Sequence, residues 1–157
     1  MPPRLTRAQL AQTPVGRANA ALLEPAAPVG ARTPLVMWLP MLPPSVNHLY
    51  RPGRQHGQRV LTEDARTFRA LVIRDVTCQA QREGWVVPPG DLQVTIRLTF
   101  GSRARMDIDN RIKAALDAVA LALGFDDCRV ARLVVERVGV DPKRPACEIT
   151  IQAWEAT

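Results

Sequence analysis

Apolar residues along this chain change their spacing several times, and each change predicts a different element. Residues 35–41 read as a short strand. Residues 43–58 carry no period and read as a long loop bearing Tyr50, Arg51, Arg54 and His56. Thr62-Glu63-Asp64-Ala65 predicts the start of a helix that runs to about Glu83, with Phe68, Leu71, Val72, Val76 and Cys78 on its buried face. Leu92, Val94, Ile96 and Leu98 alternate with other residues, the pattern of a half-buried strand. Gly101-Ser102-Arg103-Ala104-Arg105 again has no apolar period. From Asn110 the spacing turns helical, with Ile112, Leu116, Val119 and Leu123 at steps of four, three and four. Asp109 is placed as the N-cap of that second helix and Gly124 as its stop. Residues 129–138 and 147–154 supply two more strands, joined through Asp141-Pro142-Lys143 and expected to pair as a hairpin. The economical solution is an α/β chain of the α+β kind: a single mixed sheet of about four strands packed by two main helices.

Residues 1–33 stand apart from this pattern. They are rich in Pro, Ala and Arg and read as a flexible extension, so the folded domain is expected over 34–157. Of the chain's formal charge of +6, the arginines at 4, 7, 17 and 32 against Glu24 place +3 in this tail. The domain is therefore only mildly basic, and net charge alone does not say what it binds. The tail is readable either as a source of non-specific DNA affinity or as an upstream extension of the reading frame, with Met37 near the start of the fold.

Other classes of chemistry are poorly supplied. Cys78, Cys128 and Cys147 are odd in number and far apart, and read as buried thiols of a reducing compartment, not as a disulfide or zinc framework. His48 and His56 are the only histidines, too few for a His-based zinc site or a convincing Ser-His-Asp triad. No Gly-rich phosphate loop is present, so no nucleotide cofactor is expected. No apolar run approaches membrane-spanning length and the N-terminus lacks a signal-peptide core, so the expectation is a cytoplasmic protein without a membrane partner.

The strongest chemical signal lies at Asp107-Ile108-Asp109-Asn110-Arg111-Ile112-Lys113, followed by Asp117 and by Asp126-Asp127. Five carboxylates and a lysine fall within about twenty residues of a chain charged +6. Carboxylates so spaced suit a hard divalent cation such as Mg2+. An acidic, metal-capable pocket in a basic protein is what hydrolysis of a polyanion requires. Lys113 and Asp117 follow Asp109 at helical spacing and lie near one face. Asp126 and Asp127 return to the same spot only if the strand after them lies beside the strand ending near Gly101. The plainer alternative is a helix cap with a turn, a solvated Asp-Asp turn, and a surface ion pair between Lys113 and its neighbours.

Asp107-x-Asp109-Asn110-x-x-Lys113, then Asp117-Ala118, then Gly124-Phe125-Asp126-Asp127-x-x-Val130, resembles the signature of the RusA-type Holliday junction resolvases. Leu39-Pro40-x-x-Pro43-Pro44-Ser45-x-Asn47 resembles the opening strand and loop of that family. The resemblance runs from about Leu35 to Trp154. It implies a metal site of Asp107, Asp109 and Asp127 with Lys113 as an essential lysine, these four forming the catalytic set. Asp117, Asp126 and Asn110 are then expected to orient the ligands or the lysine. Arg51, Arg54, Arg103, Arg105 and Arg111 are candidate phosphate contacts. The expected cofactor is Mg2+, with Mn2+ as its substitute, and the expected partner is branched DNA, in particular four-way junctions. Two symmetric cuts need two sites, which implies a homodimer, in a bacterial or phage-encoded setting. Two other readings compete: a metal-dependent nuclease acting on flaps, forks or single strands, and a non-catalytic DNA-binding module with a structural acidic cluster.

Overall fold

A computed structural model describes residues 33–104 and 106–155. The expected flexible extension up to residue 32 and the candidate contact Arg105 lie outside the described residues.

Strand β1 (Leu35–Leu39) alternates, turning Leu35, Met37 and Leu39 into the core and Val36 and Trp38 outward. Pro40 follows it, and Pro43 and Pro44 carry the chain to a single 3-10 turn at Val46–His48. Two short strands then pair antiparallel, β2 (Tyr50–Pro52) with β3 (Arg59–Leu61). The long loop expected at 43–58 is therefore corrected: much of it is a hairpin. Its tip turns at Gly57, whose φ of 76° is one that glycine adopts without strain.

Helix α1 (Glu63–Glu83) starts where its sequence asks it to. The Thr62 hydroxyl accepts from the Ala65 N–H at 3.3 Å, and Glu63 and Asp64 place negative charge at the positive end of the helix dipole. Phe68, Val72 and Val76 are buried, and Gly84 ends the helix in the left-handed conformation. Strand β4 (Leu92–Phe100) follows. Helix α2 (Ile112–Leu123) buries a face of small residues, Ala114, Ala115, Ala118 and Val119, and stops at Gly124, φ 70°. Strands β5 (Val130–Val140) and β6 (Ala146–Ala153) complete the chain.

The main sheet has the order β1-β6-β4-β5. β1 and β4 both run antiparallel to β6, while β4 and β5 are parallel. β4 supplies the centre: Leu92, Val94, Ile96, Leu98 and Phe100 are all fully buried and lie beside Cys147, Ile149 and Ile151 of β6. Those rows form one core with the inward residues of β1 and of both helices. At roughly 1.5–3 kcal/mol for each large apolar side chain buried, this row is the main stabilising block of the fold. The opposite face is exposed, with Arg97 of β4 between Glu136 (3.2 Å) and Glu148 (3.0 Å) and with Val36 and Trp38 of β1 toward its edge. A mixed four-stranded sheet with two main helices is thus the architecture. Among the described residues, no helix is long and apolar enough to cross a membrane.

Two further expectations are corrected. β5 and β6 do not form a hairpin, because β4 lies between them. β4 buries every second residue over nine residues and exposes little of its other face, so it takes the centre, whereas β5 is exposed enough for an edge. After β5 the chain instead crosses the end of β4, where the Asp141 N–H donates to the Phe100 carbonyl at 2.8 Å. Nor are the three cysteines all buried: Cys78 lies on the outer side of α1 and Cys128 in an exposed turn, leaving only Cys147 in the core.

Burial pushes the Cys147 thiol up to about 12, so it is neither accessible nor ionised at neutral pH. In the native full-length chain, a disulfide-exchange reagent should titrate two thiols promptly and the third only after unfolding. Three fast thiols would show that the β6 face of the core is open.

Candidate active site around helix α2

β4 leaves the core at Phe100, and two guanidinium groups meet its ring. Arg137 of β5 lies 4.5 Å from the ring centroid and Arg111 6.0 Å from it. Arg137 also donates to the Met106 carbonyl. Arg111 donates to the Pro43 carbonyl and reaches the Met106 Sδ at 3.5 Å. The residue immediately before Asp107 is therefore held from the sheet edge, and the start of the following turn is tied to the proline-rich segment after β1. Burial draws the Arg111 pKa down from its ordinary value.

Asp107 is exposed, and its Oδ2 accepts a long hydrogen bond of 3.4 Å from Asn110 Nδ2. Asp109 does not cap α2 as its sequence position suggests. Asp109–Arg111 form a 3-10 turn, and the helix proper begins at Ile112 with no side-chain cap. The tighter turn leaves the Asp109 carboxylate exposed instead of bonded to a helix N–H.

In the first turn of α2, Lys113 Nζ lies 3.0 Å from Asp117 Oδ2, one turn further along. Asp117, first by hydrogen bond and then by charge, holds the Lys113 ammonium above the usual lysine value, and Tyr50 and Asp127 add smaller pulls in the same direction. Beyond the helix, Asp126 and Asp127 take different work. The Asp126 carboxylate accepts the Cys128 N–H at 3.0 Å, capping the turn Asp127–Arg129, and this bond holds its pKa below the usual carboxylate range. Asp127 makes no such cap. Both line a cavity of about 520 Å³ together with Asp117, Tyr50, Phe68 and Leu121.

The structure thus gathers Lys113, Asp117, Asp127 and Tyr50 on one side of α2, and Asp107 with Asn110 ahead of it. It does not draw Asp107, Asp109 and Asp127 around a single point: among the described residues, no three of His, Cys, Asp and Glu stand close enough to hold one ion. Topology gives the reason. β5 does lie beside β4, but Val130 pairs with Leu92 at the far end from Phe100. A helix of twelve residues, about 18 Å long, separates the two groups of carboxylates. The donor chemistry nevertheless fits Mg2+. That ion is commonly held by one or two carboxylates with waters and substrate phosphate oxygens, without a closed protein cage. Asp107 and Asp109 are exposed oxygen donors of this kind.

The candidate phosphate contacts divide. Arg51 and Arg54 stand exposed on the hairpin and Arg103 is exposed after β4, whereas Arg111 spends hydrogen bonds within the fold. Two residues escaped the sequence reasoning about the site. Tyr50, the only tyrosine, lies within reach of Arg59, whose guanidinium is 5.2 Å from its ring. A lone aromatic in a cation-rich segment was the available signal. Arg137 had none, because nothing local separates it from Arg132, the other arginine of β5.

The model of one protein family, endodeoxyribonuclease RusA, matches residues 40–152, more than two thirds of the chain. This chain belongs to the RusA endodeoxyribonuclease family. The match takes in every candidate residue named here. No curated protein matches the chain.

Arg137 carries a prediction that depends only on geometry. Arg137→Gln should lower stability by about 1–2 kcal/mol, through loss of a charge-assisted hydrogen bond and the ring contact. Amide exchange at residues 106–111 should accelerate while that of β6 stays unchanged. Equal protection of 106–111 in both proteins would remove Arg137 as the brace of this segment.

Proposed function

We propose that this chain is a Mg2+-dependent endodeoxyribonuclease that resolves four-way DNA junctions by paired symmetric nicks, acting as a homodimer in a bacterial or phage-infected cytoplasm. The family supports the nuclease class and the junction substrate. The observation that carries the reading to particular residues is the Lys113–Asp117 pair at 3.0 Å, with Asp127 near it and the exposed carboxylates of Asp107 and Asp109 just ahead of α2.

Each residue then has a task. Asp107 and Asp109 ahead of α2, and Asp127 beyond its far end, would hold one or two divalent ions, which when bound would supply an activated water and neutralise charge on the leaving oxygen. Lys113 keeps a positive charge facing the scissile phosphate as negative charge builds on it. Asp117 orients Lys113 and raises its pKa further above neutrality. Asn110 steadies Asp107, and Asp126 fixes the turn that presents Asp127. The hairpin arginines Arg51 and Arg54, with Arg103, hold backbone phosphates away from the reacting centre, and Arg105 is assigned the same role. Two such sites related by a two-fold axis give the two symmetric cuts. Residues 1–33 lie outside the catalytic domain and add counterion-release affinity.

The deciding experiment is a nicking assay on end-labelled four-way junctions, linear duplex and forked DNA, with Mg2+ and again with EDTA. The expected outcome is junction cleavage in paired positions that EDTA abolishes. Equal cutting of forks or single strands would give a nuclease of broader taste, and binding without cutting would leave a DNA-binding module. Asp107→Asn, Asp109→Asn and Asp127→Asn should each lower the rate at least about a hundredfold with junction affinity changed less than about tenfold, since the distant cations remain. Loss in Asp126→Asn with full activity in Asp127→Asn would exchange the roles of that pair.

The raised pKa of Lys113 sets a pH dependence. Its charge is fully present at and below the ordinary lysine pKa and is lost only as pH rises through the higher folded value. Asp117→Asn removes the largest cause, so the alkaline fall in cleavage rate should move to lower pH. An alkaline limb that does not move would show that Lys113 does not govern it.

A further inference from the structure

We propose that the cavity between the β2–β3 hairpin and α2 receives an unstacked nucleobase of the strand being cut, with Tyr50 as its stacking platform. The inference rests on the nuclease reading above, because the scissile phosphate is what brings a base to this place.

Position is the first argument. Asp117 lines the cavity, and its carboxylate lies 3.0 Å from the Lys113 ammonium. A phosphate held at Lys113 therefore has its own nucleotide at the mouth of the cavity, one sugar away. Shape and chemistry are the second. The cavity is about 520 Å³; the buried Phe68 and Phe125 contribute apolar wall, and Tyr50 is the aromatic lining residue exposed enough to meet the flat face of a base. Tyr50 and Leu121 remain 37% and 51% exposed on that lining, so apolar surface is open at the cavity. Three carboxylates, Asp117, Asp126 and Asp127, against the single guanidinium of Arg69 on the same lining, are the third argument. Carboxylates repel the phosphates of an intact duplex, but they accept hydrogen bonds from the exocyclic amino group of a base. The occupant that satisfies all three features is a base out of its stack.

This gives the site a means of telling branched from linear DNA. Unstacking a base costs a few kcal/mol within a duplex and least where stacking is already interrupted. A branch point offers that interruption, so the pocket fills readily there and reluctantly elsewhere.

The test couples the residue to the base. The cut made by the full-length wild type on a fixed-sequence junction is mapped in Mg2+. Each nucleotide flanking the cut is then replaced in turn by an abasic residue. Single-turnover rates are measured for wild type, Tyr50→Ala and Leu121→Ser, with circular dichroism and gel filtration of each protein. One abasic position should slow the wild type about tenfold. Either substitution should slow cutting of the intact junction by a similar factor, and Tyr50→Phe should recover most of the loss. Combining the abasic position with Tyr50→Ala should slow cutting no further than either change alone. Multiplied effects, near a hundredfold together, would overturn the pocket while leaving the nuclease standing. So would wild-type rates in both Tyr50→Ala and Leu121→Ser. A folded Tyr50→Ala that loses its dimer would assign the cavity to a second copy instead. A wild type that cuts no DNA removes the nuclease reading and this pocket with it.

Discussion

Parallel pairing of β4 with β5 is the constraint from which the rest of this structure follows. Two parallel neighbours cannot be joined by a tight turn, so the chain must travel back the length of β4 before β5 begins. Helix α2 is that return. It packs its alanine face against the core and leaves its polar face outward. The carboxylates before the helix and those after it are consequently delivered to different ends of one element. What links them is reach: Lys113 is a long side chain near the start of α2, and Asp117 carries its charge a turn further along.

Those elements were legible in the sequence wherever local chemistry fixed them. Thr62 followed by two acids announced α1, the alternation from Leu92 announced β4, and Gly124 announced the end of α2. Strand neighbours were not legible. β5 and β6 are close in sequence and joined by a turn-like segment, which favoured a hairpin on local grounds. The sheet instead placed the most regularly buried strand between them, a decision of the whole core. The hairpin at 50–61 went unread because its strands are three residues each and mostly exposed, too short for a period. Cys78 shows the same limit at single-residue scale. Its helical spacing came near the buried stripe of α1, but the residue lies on the outer side.

The candidate site divides in the same way. The acidic residues could be picked out because their identities and spacing are themselves the signal. What each carboxylate does could not. Asp126 and Asp127 are chemically identical neighbours, and only the turn that follows commits Asp126 to a backbone N–H. The arginines differ likewise by tertiary placement. Arg111 sits inside the acidic signature and reads as a phosphate contact, yet it ties Met106 to Pro43. Arg137 lies far along the chain and braces the same segment from β5. A guanidinium offers five donors in a rigid fork, so it serves as a strut as readily as an anion clamp.

The charge distribution bears on how such a protein chooses its substrate. Residues 34–157 carry only +3 of the net +6, and the exposed carboxylates around α2 subtract from the local field. Long-range attraction is therefore modest, and it acts on any phosphate backbone regardless of shape. Discrimination between a junction and a linear duplex then has to arise at close range, from what the DNA must do to fit. On the proposed reading, an acidic rim beside an apolar cavity would penalise an intact backbone and reward an unstacked base, so the cost of deforming the DNA would become the selective term. Weak capture would then favour specificity, because stronger non-specific binding would hold the protein on linear duplex.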